Sequence, residues 1–275
     1  MYRRPIDMIL LLLATASAAI ATPQSTSIGQ VQRDLSAYEG RPRVKALRLN
    51  ADETISMDGQ LNELVWKRAI PATDFIQQDP DLGQPATERT EVRFAFSETA
   101  LYMGVTCYDA EPDKLQGNNM LRDASLAADD RFMWAFDPYL DGRSGYSFEM
   151  NPGGAMADSL LVQSFSAAGG AVRNWDGIWY AKVHKSDIGW TIEIEIPFRT
   201  LNFDPNAPAW GINFQRTVRR KNEESLWTGW LRNQRLIQMS NAGLLEGISD
   251  VTQGVGLDIQ PYATGSYIDA AGRGL

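Results

Sequence analysis

A chain of 275 residues, 44% of them hydrophobic, can bury one large β domain or two small ones. Its formal net charge of −8, without a basic stripe, argues against nucleic acid as a partner. The single cysteine, Cys107, excludes an internal disulfide, and the single histidine, His184, would have to serve any Ser-His-Asp triad or histidine metal site.

The chain opens with Arg3 and Arg4, an apolar run from Ile9 to Ala14, and Ala19-Ile20-Ala21. This order predicts a signal peptide over 1–21, cut after Ala21, and an exported protein of net charge about −9. No later stretch is long and apolar enough for a transmembrane helix. Residues 22–43, rich in Ser, Thr, Gln and Gly, read as a flexible lead. Val44–Leu49 is a candidate first strand; Asp58-Gly59 is a turn, and Asn62 is placed to cap a short helix, Glu63–Arg68. Phe75 is a possible start for another strand, ahead of a loop from Asp79 to Ala86.

Thr90–Phe96 and Ala100–Tyr108 pair as a hairpin around Ser97-Glu98-Thr99, with Cys107 on the apolar face of the second strand. A polar excursion, Asp109–Asn119, precedes a strand at Arg131–Phe136 and a turn-rich loop, Asp137–Gly145. Tyr146–Asn151 and Met156–Phe165 read as strands, and Ser166–Gly170 as a loop. The clearest alternation lies further on: Trp179, Ala181 and Val183 alternate with Tyr180, Lys182 and His184, and Trp190, Ile192, Ile194 and Ile196 alternate with Thr191, Glu193 and Glu195. The turn at Lys185–Gly189 joins them into an antiparallel hairpin, and Pro197 ends it. A helical turn at Phe198–Phe203, strands at Trp210–Arg219, Leu226–Trp230 and Gly243–Ile248, and an alternating run at Gly256–Tyr267 complete the chain. Many short strands with frequent turns predict an all-β fold, an antiparallel β-sandwich with short helical turns.

Catalytic signatures are sparse. No phosphate-cradling loop or dinucleotide fingerprint occurs, and His184 sits on the polar side of its strand. Glu193 and Glu195 lie roughly 6.5–7 Å apart along one strand face, a distance compatible with a glycosidase acid/base pair, with Glu149 as a third carboxylate. Two neighbours pointing the same way flank a bond poorly, so these glutamates read first as a solvated strand face. Asp129-Asp130 and the loop carrying Asp137 and Asp141 offer hard oxygen ligands; Ca²⁺ is the candidate ion, although the spacing completes no calcium loop and turn chemistry explains it as well. No cofactor is required by any of these patterns.

Aromatic residues set among polar ones carry the stronger signal. A sugar ring needs a flat aromatic with hydrogen-bonding neighbours, and Asn174-Trp175-Asp176 supplies both within three residues. Trp175 is therefore either a stacking platform or a lid on the core. Trp179, Tyr146, Arg131 and Glu149 are supplementary candidates, whereas Trp66, Trp134 and Trp190 alternate toward a core.

The order of these pieces resembles family 9 carbohydrate-binding modules. The resemblance is carried by Met57-Asp-Gly-Gln-Leu-Asn-Glu-Leu-Val-Trp66, by Ala100-Leu-Tyr-Met-Gly-Val-Thr-Cys-Tyr-Asp109 and by Gly189-Trp-Thr-Ile-Glu-Ile-Glu-Ile-Pro-Phe198, and spans about residues 45–220. Asp141-Gly-Arg-Ser-Gly-Tyr-Ser-Phe-Glu-Met-Asn151, Trp175-Asp-Gly-Ile-Trp179 and Trp210-Gly-Ile-Asn-Phe-Gln-Arg216 are similar to a subgroup found before the β-barrel of bacterial outer-membrane proteins of unassigned function. The resemblance implies a β-sandwich over 44–255, binding of an oligo- or polysaccharide, metal ions in some members and frequent attachment to glycoside hydrolases in carbohydrate catabolism. It also implies a periplasmic or outer-membrane location, with 256–275 as the start of a barrel region. A glycoside hydrolase, and a periplasmic scaffold without a sugar site, are the alternatives.

Overall fold

The computed structural model describes residues 35–162 and 170–254. The expected signal peptide, most of the lead and the run at 256–275 lie outside the described residues. Strand β1 spans Arg43–Arg48, β2 Ile76–Asp79, β3 Thr90–Phe96, β4 Ala100–Tyr108, β5 Arg131–Asp137, β6 Gly145–Met150 and β7 Met156–Val162. β8 spans Gly170–Val172, β9 Tyr180–Ser186, β10 Gly189–Pro197, β11 Ala209–Val218, β12 Glu223–Leu226 and β13 Gly243–Glu246; helix α1 is Leu64–Arg68.

The strands form two sheets that share β1. The first runs β8-β7-β6-β5-β11-β13-β1, with β12 beside the second half of β11 and β2 beyond it. The second runs β1-β3-β4-β10-β9. β1 changes sheet at its midpoint: Arg43–Lys45 pair with β13 and Ala46–Arg48 with β3. Both pairings are parallel, so the sandwich is mixed where the sequence pattern predicted antiparallel pairing throughout. Nothing in β1 itself specifies direction, because alternation is the same in either orientation.

The expected inward faces meet between the sheets. Phe94, Met103, Cys107, Trp190 and Ile194 from the second sheet pack against Phe132, Trp134, Phe148, Ile212 and Phe214 from the first. Trp134 stacks on Phe148 at 5.2 Å between ring centroids and receives the edge of Trp179 at 5.5 Å. Cys107 is wholly buried, and burial pushes its thiol up to about 11. A buried ionic group closes one end of the sandwich: Arg220 bonds Glu88 and Asp109, with Arg216 3.8 Å from Asp109.

Both outer faces are partly covered. Loop residues Leu236, Met239 and Ala242 pack over Ala135 and Leu161 of the first sheet. On the second sheet, the segment Met57–Trp66 lies as a strap over the face that the sequence assigned to solvent, with Val65 and Trp66 against Ala95. Gly104 permits this: a Cβ there would stand 2.9 Å from Leu61 Cδ2 and 3.1 Å from the Trp66 ring. The Gly59 backbone lies as close to β9, and at φ +87° it adopts a conformation that L side chains avoid.

Several boundaries differ from expectation. Asn62 does not cap α1; Glu63 occupies the N-cap position, makes no capping bond, and instead accepts from the Ser56 N–H at 3.0 Å. Residues 76–79 are strand because β12 pairs with them. β12 itself precedes the expected Leu226–Trp230. The short edge strand β8 begins where a small-residue loop was expected. Part of the lead is structured, with Leu35 and Tyr38 packed against Leu140, Ala209 and Leu244.

Two outcomes are expected from this packing. A thiol reagent labels Cys107 only after denaturation, and rapid labelling of the native protein would contradict its burial. Gly104→Val forces the strap away from β4 and destabilises the fold by about 1–3 kcal/mol, read as a fall in melting temperature; an unchanged melting temperature would show that the strap yields freely.

Candidate functional site

Glu193 is the first residue whose place departs from the sequence reading. It lies on the outer face of β10 yet has no exposed surface, because the strap covers it. Its Oε2 accepts the backbone N–H groups of Asp58 and Gly59 at 3.0 and 2.9 Å, and its Oε1 accepts the Trp66 indole N–H at 3.0 Å. The Thr191 hydroxyl donates to the Gly59 carbonyl at 2.6 Å. Burial raises the Glu193 carboxyl to about 7, against the opposing effect of these donors and with a further push from Glu63. The solvated-face reading fails here because the turn that covers this face, Asp58-Gly59, is 135 and 134 residues away in the chain and has no signature within β10 itself.

The strap separates two concavities on the second sheet. Cross-strand register places Glu195 opposite Tyr180, Glu193 opposite Lys182 and Thr191 opposite His184. On the Met57 side, a cleft of about 500 Å³ is lined by Met57, Arg122, Trp179, Tyr180, Lys182 and Glu195, among others. Tyr180 is 51% exposed. Glu195 is half-buried, makes no hydrogen bond or ion pair among the described residues, and is raised by burial.

The wall of this cleft is built from Asp158, a buried carboxylate on β7. It accepts the Trp179 indole N–H at 2.8 Å and the Gly177 backbone N–H at 3.1 Å, and pairs with the Arg122 guanidinium at 2.6 Å. Arg122 also pairs with Asp176 at 2.6 Å and donates to the Gly177 carbonyl at 3.1 Å. Asp158 thus fastens the Asn174–Trp179 loop to the sandwich, and Arg122 carries the link to the cleft. Flat aromatic surface, a cation, an unpaired carboxylate and a lysine converge there, a combination suited to a polar ring ligand.

The other expected site residues fall in different surroundings. Trp175 is half-buried over the margin of the core, 4.8 Å from the Tyr146 ring and 6.1 Å from Phe148. Asn174 is exposed, Asp176 is engaged by Arg122, and Trp179 is buried against the core with one edge in the cleft. Arg131 and Glu149 pair at 2.8 Å on the outer face of the first sheet, away from Trp175. The three glutamates considered for hydrolysis do not converge: Glu193 is under the strap, Glu195 faces the cleft, and Glu149 belongs to the other sheet. Asp137 accepts the Gly142 and Asp141 N–H groups at 2.6 and 3.2 Å, and burial raises it to about 6. Asp141 accepts from Arg143 and Ser144. Asp129 and Asp130 likewise receive loop N–H groups, including those of Asn118, Asn119 and Gln116. Among the described residues, no three such side chains form a cluster able to hold a metal. Sequence reasoning passed over Arg122, Tyr180 and Lys182; the alternation of β9 placed Tyr180 and Lys182 together, but Arg122 has no local signature.

No protein-family profile matches the sequence, and no curated protein matches it. Solved structures do. A family 9 carbohydrate-binding module from Caldicellulosiruptor kristjanssonii, in complex with cellotriose, superposes with a TM-score of 0.55 at 16% identity, covering 80% of this chain and 100% of that one. The module from the same organism in complex with glucose gives 0.52 at 14% identity, again covering 80% and 100%. A candidate carbohydrate-binding protein from Bacteroides uniformis ATCC 8492 gives 0.53 at 12% identity, covering 74% and 98%. The fold is therefore that of family 9 carbohydrate-binding modules.

Glu193 predicts a pH dependence. An acid held above its ordinary value of 4.5 binds its proton more tightly in the folded state. Its contribution to stability is full below about pH 4.5 and is lost as pH rises through about 7. The stability of the wild type relative to Glu193→Gln should therefore decline between pH 5 and pH 8, as followed by denaturant unfolding. A constant difference would mean that Glu193 does not titrate in this range.

Proposed function

We propose that this protein is a carbohydrate-binding module that takes a saccharide in the cleft beside Arg122 and Tyr180. The observation that carries the reading is the exposed Tyr180 ring in a cleft with Arg122, Lys182 and the unpaired Glu195, within a fold whose solved neighbours were captured with cellotriose and glucose. A pyranose presents apolar C–H faces to an aromatic ring and hydroxyl edges to charged acceptors and donors. Tyr180 would supply the ring, Glu195 would accept hydroxyl protons, and Arg122 and Lys182 would donate. Trp175 would back the Asn174–Asp176 loop by packing on Tyr146, with Asn174 at the exposed margin.

The cellular setting belongs to the same proposal. Arg3, Arg4, the apolar run and Ala19-Ile20-Ala21 support export to the periplasm or outer membrane, where polysaccharide is met outside the cytoplasm. The alternating Gly256–Tyr267 supports a following barrel region.

The test is a glycan array followed by titration calorimetry with the best neutral oligosaccharide. Tyr180→Ala should weaken binding by about 1–3 kcal/mol, by analogy with aromatic stacking on other flat ring ligands, while the melting temperature barely moves. Trp175→Ala should act the other way, lowering the melting temperature more than the affinity. Absence of binding to every arrayed glycan would sink the proposal, and full affinity in Tyr180→Ala would remove the cleft from it.

A further inference from the structure

The second concavity, on the other side of the strap, has a different chemistry. It measures about 430 Å³ and is bounded by Trp66, Lys67, Glu91, Arg93, Tyr108 and His184, among others. That volume falls within the range of small-ligand sites. Its one wall carboxylate, Glu91, is already engaged: Arg93 pairs with it at 2.8 Å and Arg89 at 3.1 Å. Arg89 also lies over the Tyr108 ring at 4.0 Å, which fixes that ring in place, and the Tyr108 hydroxyl reaches Glu91 at 3.3 Å. Lys67 has no ion pair among the described residues, and the His184 ring makes no hydrogen bond among them. Lys67 and Arg93 against Glu91 leave the lining with one net positive charge, although the whole chain carries −8. Glu193, beneath the strap, is enclosed by its own three donors.

A positive pocket in an acidic protein selects for an anion, and the half-buried Tyr108 ring gives it apolar surface for a sugar face. We infer that this pocket binds the carboxylated sugar of a uronate-containing oligosaccharide, with Lys67 and Arg93 facing the carboxylate and His184 and Asn62 within the polar wall. The saccharide half of this inference rests on the proposed carbohydrate function; the carboxylate half rests on the pocket's own charges.

The experiment is calorimetric titration of the full chain with trigalacturonate, its methyl ester and acetate. Trigalacturonate should bind, and methyl esterification should weaken it by about tenfold or more, the loss expected when hydrogen bonds to a charged group are removed. Lys67→Gln should cost about fivefold, the scale of a partly exposed ion pair, and Lys67→Glu should cost more. Both are substitutions of an exposed residue, and their folding is checked by the unchanged melting temperature. Neutral-oligosaccharide binding should persist in both variants, and trigalacturonate binding should persist in Tyr180→Ala. The inference is overturned if trigalacturonate does not bind, if its ester binds equally well, if acetate binds as tightly, or if Lys67→Glu leaves the affinity intact. Loss of neutral binding alone, with trigalacturonate retained, would overturn the Tyr180 cleft and leave this pocket standing.

Discussion

One buried carboxylate governs the outer face of the second sheet. Glu193 receives two backbone N–H groups and an indole N–H, and those three donors hold the Met57–Trp66 strap against β10. Without the strap, Glu193 would be an ordinary solvent-facing residue, and Gly104 would leave a bare patch on β4. With it, a flat sheet surface becomes two concavities, one beside Tyr180 and one beside Tyr108. The interaction is demanding, since a carboxylate out of water is tolerated only when its lone pairs are occupied. That demand fixes the Asp58-Gly59 turn in one place to within hydrogen-bonding distance.

The same solution recurs on the opposite sheet. Asp158 is also a buried acceptor, also satisfied by a backbone N–H and an indole N–H, and also used to fasten a loop that carries aromatic residues. In both cases the tryptophan serves packing and orientation together: its ring fills space and its single N–H selects the acid. Among the described residues, the aromatics left to meet a ligand are chiefly Tyr180 and the margin of Tyr108. The buried acids belong to the scaffold, and the ligand-facing chemistry stands one residue or one strand away from them.

Much of this was legible in the sequence, and the residues show why. The strands from Thr90 to Tyr108 and from Tyr180 to Pro197 follow from alternation, because period two survives in any half-buried strand. The inward placement of Trp134 and Trp190 follows from the same period. The misplacement of Glu193 has a definite cause: alternation separates two faces of a strand but cannot say that a distant segment covers the second. The parallel pairings of β1 and the pairing of β2 with β12 are likewise long-range facts. The Asn174–Asp176 cluster pointed to Trp175, yet the exposed ring lies at Tyr180, because Trp175 has a core partner in Tyr146 that is 29 residues away and invisible to local pattern.

The split strand β1 has a consequence for how the molecule comes into being. Arg43 sits beside Leu244, so β1, the first of the described strands to be synthesised, finds one of its two partners only after some two hundred further residues. Its other half can settle on β3 much earlier, since Phe94 is 48 residues from Ala46. The second sheet can thus gather while the chain is still growing, whereas the first remains open at β1 until β13 arrives. Closing so long a loop costs entropy that grows only slowly with length, but the search it requires slows the final step. A chain passing through a narrow channel, in which only part of it is available at a time, would hold that unclosed edge exposed for the longest interval, and the edge in question is the one that β13 covers.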